Sequence, residues 1–225
     1  MSGDSIRGFV HADVPTAEID AIEATHAPLV AAVRDLVDVA IRTTVPGDTV
    51  TDAAARVREV VTMLEAEAHP GPVGVSFNNE GRSWNWGNAA VGRRNAVAPP
   101  MAVEQVEPGH CRAALTLGAP YEGQPGIVHG GVSALLLDHL LGETASMGYT
   151  KIAVTGTLTL RYRDSLLLGP VELEGRVERQ EGRKLFLRGT IGAPGSVAIE
   201  AEGVWIVPRW AAGEDLDAAA AGAVG

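Results

Sequence analysis

The sequence predicts an α+β domain, a curved antiparallel sheet wrapped around one central helix, preceded by a helical extension. Three observations predict it. After Pro100 the chain is a series of short segments that alternate apolar and polar residues. The turns between them, such as Glu181-Gly182 and Ala193-Pro194-Gly195, are tight, as in antiparallel sheets that bury one face. A single helical segment, Gly130 to about Gly148, is apolar almost all round and is the natural thing for that face to bury.

The elements follow in order. From Thr16 to Ile41 apolar residues recur at helical spacing (Ile19, Ile22, Leu29, Val33, Leu36, Val37, Ala40), which predicts a long amphipathic helix. A second helix is expected from about Thr49, where Thr49 and Asp52 have capping-box spacing ahead of the stripe Val57, Val60, Val61, Leu64. The pair reads as a helical hairpin within an extension over 1–69, its stripes either core or interface. The stretch 70–100 is crowded with Gly, Asn, Pro and Ser around Trp84 and Trp86. It reads as an irregular arm, either a cover over a binding site or a segment packed down by its two Trp.

The main domain is expected over 101–210. Met101 to Val106 and Cys111 to Leu117 are its first strands, separated by Glu107-Pro108-Gly109. After the helix comes a strand with Ile152, Val154, Leu158, Leu160 and Tyr162 on one face and Thr155, Thr157, Thr159, Arg161 and Arg163 on the other. Val171-Leu173-Val177, Leu185-Leu187-Ile191 and Val197-Ile199-Ala201-Trp205-Val207 repeat the alternation. The Ala/Gly-rich tail 211–225 is expected to be disordered.

Composition excludes some functions. Eighteen Lys and Arg against twenty-eight Asp and Glu give a net charge of −10, the wrong sign for a surface that tracks phosphates, so no nucleic-acid partner is expected. No apolar run reaches the roughly 18 residues of a membrane span, and Met1 to Pro15 lacks a basic-then-apolar leader. With the lone Cys111, this reads as a cytoplasmic protein. Six scattered His form no ligand-spaced cluster, so no metal is expected.

Chemistry concentrates around the predicted central helix. Asp138 is a carboxylate in the middle of an apolar segment, where an unpaired charge costs several kcal/mol, roughly. It is a functional acid, a structural acid bonded across an interface, or a group that faces solvent beside His139. Just before the helix stands Pro125-Gly126-Ile127-Val128-His129-Gly130-Gly131. A helix start leaves backbone N–H groups unpaired and positive, suited to a developing oxyanion, and Gly130 and Gly131 carry no Cβ to hold a carbonyl away. Asp138 lies eight residues beyond Gly130, roughly 12 Å along a helix. One reacting carbon cannot touch both, so if they cooperate they come from two chains of a two-fold dimer.

The run Tyr121-Glu122-Gly123-Gln124-Pro125-Gly126-Ile127-Val128-His129-Gly130-Gly131, with Asp138 nine residues after the His and Thr155 at the start of the next strand, resembles the hotdog-fold acyl-CoA thioesterases. It is closest to the phenylacetyl-CoA thioesterase-like branch. Gly92-Arg93-Arg94-Asn95-Ala96-Val97-Ala98-Pro99-Pro100 resembles that branch's entry to its first strand, and the similarity runs from about Gly92 to Pro208. The resemblance implies Asp138 as base or nucleophile and Gly130 as the amide that polarises the thioester carbonyl. It implies His129 as support for substrate and turn, and Thr155 as a hydroxyl that orients water and acid across the dimer interface.

It also implies a homodimer joined sheet edge to sheet edge, in some relatives paired again as a homotetramer, with coenzyme A present only as part of the substrate and no separate cofactor. Some relatives carry Asn six residues before the His, where this chain has Gly123, with Gln124 one position away. Gly131 and Gln124, with Arg161, Tyr162, Arg163, Arg183 and Lys184, are the candidate substrate contacts, the basic ones for CoA phosphates. Two other readings stand beside hydrolysis: a non-catalytic acyl-CoA-binding hotdog protein, and an enoyl-thioester hydratase.

Overall fold

The alternating segments pair into one six-stranded antiparallel sheet, as their tight turns require. The computed structural model describes residues 5–6 and 9–212 and divides into two units, Met1–Ala98 and Pro99–Gly225. In the second unit the strands are β5 (Val103–Glu107), β6 (His110–Leu117), β7 (Val154–Tyr162), β8 (Gly169–Glu181), β9 (Lys184–Gly192) and β10 (Ile199–Ile206). Their order in the sheet is β5-β6-β8-β9-β10-β7, which leaves β5 and β7 at the edges. Helix α3 (Gly130–Ala145) lies on the inner face, one turn shorter than expected because Ser146 ends it. This is the hotdog architecture.

The core sits between α3 and the sheet. Leu136, Leu137, Leu140 and Leu141 are fully buried against Leu117, Val171, Leu173, Leu187, Ile191, Ile199 and Trp205. Burying four leucines contributes at most about 6–12 kcal/mol at roughly 1.5–3 kcal/mol each. The helix comes close because Gly175 of β8 and Gly189 of β9 pair directly beneath it. A Cβ on Gly175 would stand 2.7 Å from Thr144 Oγ1, and one on Gly189 3.0 Å from Leu141 Cδ2.

One departure from the expected alternation positions the site. Along β7, Leu160 pairs with Ala201 and Leu158 with Gly203, but Thr155 pairs with Trp205, so Gly156 is an extra residue in a β-bulge. Residues directly opposite on neighbouring strands share a face. Thr155 therefore joins Leu158, Leu160 and Tyr162 on the inner face, and Val154 turns outward, the reverse of the strict period-two expectation.

In the first unit, α1 (Thr16–Arg42) and α2 (Gly47–Glu65) form in the predicted places. The capping box does not: Pro46 is the residue before α2, no side chain caps the helix, and Thr49 lies inside it. No residue of α2 is buried, so within this chain its apolar stripe is not core. The 70–100 stretch is more regular than its composition suggests. Strands β3 (Val75–Phe77) and β4 (Ser83–Trp84) join β1 (Ser5–Ile6) and β2 (Phe9–His11) in a four-stranded sheet, with β2 and β3 parallel.

Long-range polar contacts fix this unit. Asn78, 5% exposed, donates to Val14 O and Thr16 Oγ1 and accepts the N–H groups of Glu80 and Arg82. Trp86 donates Nε1 to Glu23 Oε1 at 3.1 Å and carries the Arg94 guanidinium 3.7 Å above its ring. Of the two readings of the arm, Trp86 supports the packed one. Arg209–Ala211 form a short 3₁₀ turn, and the rest of the expected tail, from residue 213, lies outside the described residues.

Candidate active site

The loop that delivers α3 is held by backbone pairing. Val128 N–H donates to Leu166 O and Leu168 N–H to Gly126 O, while His129 N–H donates to Tyr121 O. These bonds put His129 at the N-cap of α3 with φ −59° and ψ 130°. Its Nδ1 accepts the Gly131 N–H at 2.9 Å, which places the ring proton of the neutral form on Nε2.

That cap decides which amide is free at the helix start. Gly131 N–H is taken by His129 Nδ1, and the Val132 and Ser133 N–H groups donate to His129 O. The Gly130 N–H has no acceptor among the described residues. The helix start thus keeps one unoccupied amide, that of Gly130; Gly131, expected as a second contact, spends its amide on the cap. Tyr162, placed opposite Ile199 on the inner face, donates its hydroxyl to Gly130 O at 2.9 Å and pins this turn to the sheet.

Asp138 stands two turns further along the same unbroken helix. It is half-buried rather than sealed in apolar surroundings. Thr155 Oγ1 donates to Asp138 Oδ1 at 2.8 Å, within one chain. The resemblance put Thr155 across a dimer interface; the Gly156 bulge instead turns it onto its own helix. The hydroxyl fixes one carboxylate oxygen.

A cleft of about 720 Å³ opens at the start of α3, lined by Gly123, Gln124, His129, Gly130, Tyr162 and Arg163 among others. It is large enough to receive part of a sizeable ligand. Gly123, the position of the relatives' Asn, has no room for a side chain, since a Cβ there would lie 2.8 Å from His129 Cα. Gln124 is exposed and lines the cleft beside it.

The basic candidates scatter. Arg163 lines the cleft while bonding Glu200 Oε2 through Nε and Nη2 at 3.1 and 2.9 Å. Arg161 lies on the outer face of the sheet, 3.8 Å from Glu202. Arg183 donates to Val207 O, and with Lys184 it sits at the β8–β9 turn, where Gln180 meets Lys151 beyond the far end of α3. Within one chain these two do not join the cleft, because β8 runs the length of the helix between its two ends.

Sequence reasoning did not single out a second polar group on α3, His139 and Glu143, although their four-residue spacing was a legible signal. Among the described residues, no three His, Cys, Asp or Glu gather to hold a metal ion, and no helix is long and apolar enough to cross a membrane.

Comparison with known proteins bears on this geometry. The thioesterase superfamily model matches residues 125–196. Among solved structures, the thioesterase superfamily protein RHA08564 superposes with a TM-score of 0.70 at 32% identity, over 80% of this chain and 90% of that one. The acyl-coenzyme A thioesterase THEM4 of Mus musculus is 38% identical over 76 residues, 33% of this chain and 32% of that protein. THEM4 of Rattus norvegicus matches to the same extent. The matched region thus spans about a third of the length of these curated relatives.

Proposed function

The chain belongs to the thioesterase superfamily, and from that premise we propose that it hydrolyses acyl-CoA thioesters at composite sites shared by two subunits of a homodimer. The observation that carries this reading is the division of labour along α3: a free Gly130 amide at its start and a Thr155-held Asp138 roughly 12 Å further on. The separation is too large for one carbonyl to meet both in one chain, and a two-fold axis brings one subunit's Asp138 to the other's Gly130.

In this mechanism the thioester carbonyl accepts a hydrogen bond from the partner subunit's Gly130 N–H. Asp138, oriented by Thr155, takes a proton from water as its oxygen bonds to the carbonyl carbon. The C–S bond then breaks, and the proton passes from Asp138 to the departing thiolate, giving free acid and CoA. His129 acts by positioning, since its cap leaves Gly130 as the available amide. In this reading Tyr162, Arg163 and Gln124 meet the pantetheine or phosphate portion of CoA, which their shared lining of one cleft supports. These steps call on the chain's own residues and no separate cofactor, and the lone Cys111 suits a cytoplasmic setting.

The test is subunit complementation. Asp138→Asn removes the base, and Gly130→Pro removes the amide donor at a helix position where proline is well tolerated. Each homodimer is expected to release free thiol from acyl-CoA at least about a hundredfold more slowly than wild type while keeping its circular dichroism. Co-refolded mixtures should regain about a quarter of wild-type activity, because half the dimers are mixed and each has one intact site of two. Full activity in Asp138→Asn sinks the mechanism, and two inactive parents with an inactive mixture sink the shared site. Tight acyl-CoA binding by calorimetry without thiol release from the wild type would turn the reading to a binding protein.

A further inference from the structure

A single peptide group at the start of α3 carries two of the bonds that shape the turn. The amide that joins Gly130 to Gly131 accepts the Tyr162 hydroxyl through its oxygen at 2.9 Å and donates its N–H to His129 Nδ1, also at 2.9 Å. Tyr162 is the last residue of β7, opposite Ile199 of β10, and its ring lies directly on Gly130. A Cβ on Gly130 would stand 3.2 Å from the hydroxyl and 3.3 Å from Cε1, so the ring reaches this peptide because residue 130 has no side chain.

The donors run head to tail. The Tyr162 O–H gives to the carbonyl, the N–H of the same peptide gives to Nδ1, and the remaining ring proton stands on Nε2. In such a chain each bond polarises the next, by about 10–30%. A peptide whose oxygen accepts a hydroxyl is a stronger N–H donor, and an imidazole that accepts at Nδ1 is a stronger donor at Nε2. An amide N–H cannot accept, so the ring proton stays on Nε2 for as long as the Gly131 bond holds.

The far end of the chain is open. His129 is exposed and lines the cleft, and its Nε2–H has no acceptor among the described residues. The hydroxyl of Tyr162, by contrast, has committed its proton to the turn, although the ring lines the same cleft. What the hydroxyl does is therefore felt two bonds away, at the histidine.

Resting on the hydrolase reading above, we propose that Tyr162 is a positioning residue for thioester hydrolysis: through the Gly130–Gly131 peptide its hydroxyl fixes the His129 ring in the tautomer that presents Nε2–H to the cleft.

The test is Tyr162→Phe in the full-length protein. It removes the hydroxyl and keeps the ring on Gly130, and because Tyr162 is 56% exposed the loss of one oxygen leaves the core intact. Ligand-free protein labelled with ¹⁵N in its histidine rings is read by NMR at pH 8.5, above the ordinary histidine range, with a His129→Gln sample to assign the signal. The wild type is expected to hold His129 as the Nε2–H tautomer. In Tyr162→Phe the ratio of tautomers should move about two- to fivefold toward Nδ1–H, at most the loss of one net hydrogen bond. Thiol release from acyl-CoA is measured alongside: kcat should fall about three- to tenfold, with KM within about twofold of wild type. An Nδ1–H ring in the wild type, or an unchanged ratio in the variant, overturns the relay. So does a raised KM with kcat intact, which makes the hydroxyl a CoA contact instead. If the wild type releases no thiol the hydrolase reading falls, while the tautomer ratio still decides whether Tyr162 sets the ring.

Discussion

Replacing Gly130 with proline removes one hydrogen-bond donor at the start of α3 and adds a Cβ that, like alanine's, stands 3.2 Å from the Tyr162 hydroxyl. Gly130 is the first residue of the helix, where proline's fixed φ suits the chain and no intrahelical bond needs its N–H. His129 has ψ 130°, inside the extended region that a following proline requires. The Gly130 carbonyl, which accepts the Tyr162 hydroxyl at 2.9 Å, is retained, and the alanine variant controls for the shift its Cβ asks of that ring. Stability should therefore change by less than about 1 kcal/mol. Loss of an oxyanion donor costs about 2.7–4 kcal/mol in the transition state, so kcat should fall by about 10²–10³. Free-thiol release under saturating acyl-CoA measures it, with urea midpoints as the stability control.

Gly130→Ala separates shape from hydrogen bonding. It keeps the N–H, and its Cβ would stand 3.2 Å from the Tyr162 hydroxyl, so the ring must shift by a few tenths of an ångström. A proline variant that retains kcat within about threefold of wild type would refute the assignment of this amide. A proline variant no worse than the alanine one would show that crowding, rather than the lost donor, sets the rate.

Three further perturbations probe neighbouring parts of the structure. Thr155→Val removes the 2.8 Å bond to Asp138, and hydrogen bonds to charged groups are worth about 1.5–3 kcal/mol, so kcat/KM should fall roughly ten- to a hundredfold, with Thr155→Ser restoring most of it. Gly175→Ala puts a Cβ 2.7 Å from Thr144 Oγ1 beneath α3 and should destabilise by about 1–3 kcal/mol in urea titration, although alanine at an open strand position costs nothing. His139 is held below its ordinary 6.5, so below that pH the unfolded chain binds a proton that the folded one refuses, and stability falls as pH drops. His139→Gln should lessen the loss of stability between pH 7.5 and 5.5. An unchanged pH slope would remove this histidine from the account.

Much of the fold was legible because it is periodic. A helix apolar on every side calls for a wrapping sheet, and alternating segments with two-residue turns supply one. The burial of Leu136, Leu137, Leu140 and Leu141 and the places of Asp138 and Gly130 on one helix follow from local pattern alone, whereas the sheet order rests on distant pairings such as β6 with β8 and β7 with β10. The first unit was harder to read. Its strands are two or three residues long, and β2 finds β3 more than sixty residues away, so no window of sequence carries their period. Arg161 and Arg163 were visible as cations, but their carboxylates, Glu202 and Glu200, come from a strand some forty residues later.

The sequence by itself determined that this chain places a carboxylate and a glycine-rich helix start on one buried helix, because helical rise and apolar periodicity depend only on neighbouring residues. Only the tertiary structure decided which of the first amides stays free and which way Thr155 points. The first depended on His129 turning its ring back onto Gly131, and the second on a one-residue bulge at Gly156. One inserted residue reverses every later side chain along a strand, and its position is fixed by pairing with Val204 and Trp205 about fifty residues downstream.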